Sequence, residues 1–160
     1  MKNKTPTTKR SWTERLNADA PHEIKPAPIS IAGMKAGQIM LVPTARMIDD
    51  YIRAIPRGAS VDVKTMRTQL ASTRGAEVTC PIYTGFHLRT VAEAAFEAFN
   101  LGAPLTDVTP IWRMLDDRTP TTNKLSFDPS FIFEQRTREG LARSQPTTRE
   151  RLRGRSRSPR

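Results

Sequence analysis

The stretch Leu88-Arg89-Thr90-Val91-Ala92-Glu93-Ala94-Ala95-Phe96 decides the fold class. Leu88, Val91, Ala92, Ala95 and Phe96, with Phe99 beyond them, recur at helical intervals and so share one side of a helix. The two-residue alternation of a half-buried strand is missing. The pattern predicts a long amphipathic helix over 84–99, ended by Gly102.

Toward the N-terminus a shorter apolar stripe, Val63, Met66 and Leu70, follows Asp62 as N-cap and closes at Arg74-Gly75, where glycine suits a left-handed C-cap. Before it, Met47, Ile48, Tyr51, Ile52 and Ile55 repeat the helical interval behind Thr44, a second N-cap, until Pro56 and Gly58 stop the helix. Ile29 and Ile31, then Ile39, Met40, Leu41 and Val42, arranged around Gly33 and Gly37, read as two short extended pieces joined by a turn. Toward the C-terminus, 108–115 is rich in β-formers and reads as extended. Residues 116–126, with Asp116-Asp117 and Pro120, read as a turn or wing, and Asp128-Pro129 opens a last helix through Phe131, Ile132 and Gln135 to Leu141.

The expected architecture is therefore mainly α: a winged-helix-like three-helix domain with a small β-element over 29–142. It is flanked by a disordered tail over 1–28 and a disordered Arg/Ser-rich tail over 143–160, both too poor in apolar residues to repay ordering. Within the first tail, Trp12 and Leu16 stand four apart, the spacing of a helical turn that docks on the domain.

Lys and Arg number 26 against 16 Asp and Glu, a net charge of +10 over 160 residues. The excess is uneven, since 141–160 holds seven Arg against the single Glu150. Such a balance favours a polyanionic partner, nucleic acid before membrane, because no amphipathic or lipidation signal accompanies it. The single Cys80 permits no intrachain disulfide, and with His22 and His87 far apart no metal site or cofactor is expected. No run approaches the roughly 18 apolar residues of a membrane span, and the polar N-terminus lacks a signal-peptide core. The expectation is a soluble monomer of the cytoplasm, associated with the nucleoid.

Pro110-Ile111-Trp112-Arg113 lies about 20 residues after Arg89 and about 55 after Ile55-Pro56-Arg57-Gly58, and a terminal stretch carries Gln135, Glu139 and Gly140. With Leu88-Arg89-Thr90-Val91-Ala92 between them, these segments give 48–141 a likeness in order and spacing: the chain resembles the C-terminal, DNA-binding domain of the alkylguanine-DNA alkyltransferases. Those proteins flip a damaged guanine from duplex DNA and take its alkyl group onto a cysteine. Their tetrapeptide reads Pro-Cys-His-Arg, whereas here Ile111 and Trp112 replace the thiol and its activating base. Val63 also stands near the place of a family tyrosine that contacts phosphate.

The resemblance implies non-catalytic recognition of alkylated guanine or damaged DNA, as in alkyltransferase-like proteins that lack the acceptor cysteine. Double-stranded DNA is then the partner, together with other repair proteins. Arg89, Thr90 and Arg113 become DNA-binding residues, Arg89 filling the gap left by an extruded base and Arg113 organising the pocket through a carboxylate. Pro110, Ile111 and Trp112 become the base pocket. Read from the residues alone, Arg89 is equally a helix arginine paired with Glu93, and Trp112 a core residue. Two alternatives stay open: a general DNA- or RNA-binding regulator without a lesion pocket, and alkyl transfer onto Cys80, which reads otherwise as a small buried hydrophobe.

Overall fold

The computed structural model describes residues 9–141. Its elements in chain order are α1 (Trp12–Leu16), β1 (Glu23–Pro26), β2 (Ile39–Val42), α2 (Ala45–Arg53), α3 (Val63–Thr73), β3 (Val78–Thr79), α4 (Pro81–Asn100) and α5 (Ser130–Arg138). Single 3-10 turns at Leu105–Asp107, Ile111–Arg113 and Pro120–Lys124 separate α4 from α5. No helix among the described residues is long and apolar enough to cross a membrane.

The protein is mainly α with a small sheet. Helix α4 runs through the centre, with α1, α2 and the turns at Ile111–Arg113 and Pro120–Lys124 packed against it. Leu88, Val91, Ala92 and Ala95, the stripe that fixed the fold class, are buried with Ile48, Ile52, Met66, Ile111, Leu115 and Ile132 in one core. The predicted caps form: Thr44 Oγ1 accepts the Met47 amide at 3.2 Å and Asp62 Oδ1 the Thr65 amide at 2.7 Å. Helix α4 begins earlier than its apolar stripe, because Pro81 is well placed at a first helical position where no amide hydrogen is required.

Two expectations are corrected. First, 1–28 is not wholly a tail. Helix α1 docks on α4, as the Trp12–Leu16 spacing predicts, but β1 also pairs antiparallel with β2 in the register Glu23↔Val42 to Pro26↔Ile39. Pro26 is tolerated because β1 is an edge strand. Second, 108–115 is not extended. Pro110 cannot donate to a ladder, and the amides of Arg113, Met114 and Leu115 instead bond locally to Pro110 and Ile111 carbonyls at 2.9–3.1 Å. The segment 116–126, expected as a turn or wing, is a turn. Asp116 Oδ1 receives the amides of Arg118 and Thr119 at 2.9 and 3.0 Å and folds the segment into a closed turn.

The β-element therefore lies before and between the helices rather than after the third. Strand β3 adds to β2 in parallel, Met40↔Val78 and Leu41↔Thr79, by a crossover through α2 and α3. Residues 143–160, expected to be a disordered tail, lie outside the described residues.

Candidate nucleic-acid interface

Arg113 joins three of the segments that the sequence singles out. Its Nη1 donates to the Ile55 carbonyl at 2.8 Å, while Nε and Nη2 reach the Glu139 carboxylate at 3.1 and 2.6 Å. Its own carbonyl accepts the Val61 amide at 2.9 Å. Burial raises the Glu139 pKa, but the hydrogen bonds and positive charge of Arg113 outweigh this and hold the carboxyl below its ordinary value. The expected carboxylate partner is present. With all these donors engaged, Arg113 is a structural tie and not a free DNA contact.

The base-pocket residues Pro110, Ile111 and Trp112 are buried. Ile111 is fully enclosed, and its neighbours Trp112, Met114 and Leu115 belong to the same core. Trp112 stands edge-on to Phe131 at 6.0 Å, the core placement that its size favours. A cleft of about 260 Å³ does open nearby, lined by Arg57, Trp112, Arg113, Gln135, Arg138 and Glu139, but Ile111 has no part in it.

On α4, Thr90 is also corrected: it is buried and its hydroxyl donates back to the Phe86 carbonyl at 3.3 Å. Arg89 is half-exposed and turned toward α1, its guanidinium carbon 5.4 Å from the centre of the Trp12 ring. Its Nε lies 3.9 Å from Glu93 Oε1 and makes no hydrogen bond. Glu93 is committed elsewhere, accepting the amide and hydroxyl of Ser126 at 2.6 and 2.5 Å. Cys80 is buried with Ala27, Met34 and Met40, so its thiol is not presented to a macromolecule.

What the N-terminal half of α4 presents is different. Between Glu77 and Glu93 there is no carboxylate, and the helix starts at Cys80, whose side chain caps nothing. The positive end of a 20-residue helix thus stands without local compensation. Just before it in the chain, β3 and Glu77 line a cleft of about 410 Å³ with Lys64, Arg67 and Thr68 of α3 and the turn at Ala32 and Gly33. Arg67 holds the edge of that cleft through the Thr79 carbonyl at 3.4 Å.

Sequence reasoning missed two buried charges. Arg136 is among the most deeply buried side chains and donates to the Trp112 carbonyl at 2.7 Å. Asp49 is fully buried, accepts the Thr109 hydroxyl at 2.5 Å and pairs with Arg53 at 3.0 Å. The signal for each was its place on an apolar stripe: Arg136 stands four after Ile132, and Asp49 stands four after Ala45 and three before Ile52.

No family model, curated protein or solved structure matches the chain.

Proposed function

We propose that this protein binds nucleic acid without catalysis and presents α3 and the N-terminal half of α4 to duplex DNA, in the manner of a helix-turn-helix or winged-helix module. One observation carries the reading: the exposed start of α4 lacks carboxylates and a side-chain cap, and Arg67 reaches the Thr79 carbonyl just before it. A helix start of this kind favours phosphate oxygens, and a cation such as Arg67 adds counterion release. The Arg-rich segment after Leu141 contributes sequence-independent attraction to the same polyanion.

The filled space around Ile111 favours a general nucleic-acid module over a lesion pocket. A second reading, recognition of alkylated guanine, is favoured by the cleft that Trp112 and Arg113 line. Alkyl transfer onto Cys80 has no such support, because the thiol is buried.

Titration of a short duplex at several salt concentrations, with the full chain and with a version ending at Arg143, tests the reading. The truncated protein is expected to keep salt-dependent binding with a shallower slope, since the tail arginines no longer release counterions. Absence of binding by the truncated form at low salt would remove the domain from the interface. Tighter binding to alkylguanine duplex than to its undamaged twin would promote the second reading.

A further inference from the structure

The start of α4 also carries the chain's most exposed aromatic side chain. Phe86 is 67% exposed, Ile82 54% and Tyr83 47%. Ile82, Phe86 and Arg89 fall at positions i, i+4 and i+7 of the helix and so form one stripe. His87, between them and half-buried, is the ring on which the two aromatics rest: Tyr83 stacks on it at 6.0 Å and Phe86 meets it edge-on at 5.6 Å. Burial lowers the His87 pKa, so the support is uncharged near neutral pH. Core packing does not explain this cluster, because the buried face of α4 is the opposite one, with Leu88, Val91, Ala92 and Ala95.

The charge around the cluster selects its occupant. No carboxylate of α4 precedes Glu93, and Glu23, which lines a cleft with Arg15, Tyr83 and His87, is paired with Lys25 at 2.9 Å. The parts of the chain outside the described residues cannot supply an apolar cover, since the only large apolar residues in 1–8 and 142–160 are Met1 and Leu152. An apolar, aromatic ridge in a setting that attracts anions suits the one polyanion that also offers flat apolar faces.

We infer that Tyr83 and Phe86, backed by His87 and flanked by Ile82, form a wedge that stacks on an unstacked base of bound DNA, with Phe86 at its tip. The inference rests on the DNA-binding reading above and deepens it: α3 and the helix start hold phosphate, and Phe86 engages a base. Apolar side chains inserted at a base step are a general device for kinking a duplex, and the cost of unstacking is lowest where pairing is already interrupted. Arg89, drawn toward Trp12, is not the inserted group.

The test compares a fully paired duplex with one carrying a single-nucleotide bulge, using the full chain and its Phe86→Ala, Phe86→Trp and Tyr83→Ala variants. The parent is expected to prefer the bulged duplex. Phe86→Ala should weaken that complex by about tenfold, the size of one base–aromatic contact. Its salt slope should stay unchanged, since no charge is removed. Phe86→Trp should retain the preference, Tyr83→Ala should lose part of it, and all four proteins should melt alike because the residues are exposed.

A Phe86→Ala protein that binds both duplexes as the parent does would overturn the wedge and leave the proposed function standing. The same result with a parent that self-associates, and a variant that does not, would assign the ridge to a second copy of the chain and overturn the wedge equally. A parent that binds neither duplex overturns the proposed function and the wedge together.

Discussion

The joint between α5 and the Ile111–Arg113 turn and the start of α4 contain similar residue types, charged and aromatic, and use them in opposite ways. In the joint, Arg136 is buried, Arg113 and Glu139 are part-buried, all three are hydrogen-bonded, and Trp112 and Phe131 pack edge-on. At the start of α4, Tyr83 and Phe86 face solvent and the helix end is uncapped. The residues that the resemblance marks as a DNA site mostly belong to the joint, where they hold the fold together. The surface that nothing inside the domain satisfies lies one turn before Arg89. A motif's order along a chain thus locates the scaffold more securely than it locates the contact surface.

The sharpest way to break that contrast is Glu139→Gln. It leaves the part-buried Arg113 guanidinium without its counter-charge, and weakening such a charge-assisted hydrogen-bonded pair costs about 1–3 kcal/mol. Chemical denaturation followed by circular dichroism should register a loss of that order. An unchanged midpoint would mean that Arg113 is as replaceable as a surface arginine. Truncation of Phe86 at the other region, by contrast, should fall within about 0.5 kcal/mol of the parent.

Acid should separate the regions more gently. Burial lowers His87 below its ordinary 6.5, so the folded state favours the neutral ring. The stability this contributes is present above pH 6.5 and is lost as the pH falls through the lower folded value. For Glu139, burial is outweighed by Arg113 and the pKa lies below its ordinary 4.5, so its contribution is present above 4.5 and is lost as the pH falls through the folded value. Melting temperatures are therefore expected to decline in two stages on acidification. The Glu139→Gln protein should lack part of the lower stage, the rest belonging to Glu97, where burial is outweighed by hydrogen bonds from Thr13 and Trp12 that hold it below its ordinary value. A lower stage identical in both proteins would deny the Arg113 pair its linkage.

Much of the scaffold was legible from sequence because its signals are local. Thr44 and Asp62 are caps that act within one turn, and the α4 stripe repeats over enough residues to exclude a strand. The 108–115 segment was not legible, since nearly all of its side chains are buried and a segment enclosed on all sides loses the alternation that separates turn from strand. Strand β1 was hidden by the prolines around it and by its dependence on a single neighbour, β2. At the site, the Arg113 tie was legible through the order of motifs. Arg136 and Asp49 were not, because a lone charge on a stripe reads as solvated until its partners, the Trp112 carbonyl and the Thr109 hydroxyl, are brought to it by tertiary folding. The burial of Thr90 and the turn of Arg89 toward Trp12 were not legible either, since helical spacing gives a residue's neighbours on its own helix and not those that arrive from elsewhere in the fold.

The central claim, that the start of α4 is the surface that meets nucleic acid, is tested most directly by amide hydrogen exchange of the full chain with and without bound duplex. Protection is predicted in two segments, 64–69 on α3 and 81–90 on α4, with 110–115 and 130–139 unchanged because bound duplex does not cover them. Protection centred on 110–115 and 130–139, with 81–90 unaltered, would contradict the account and return the interface to the residues of the joint.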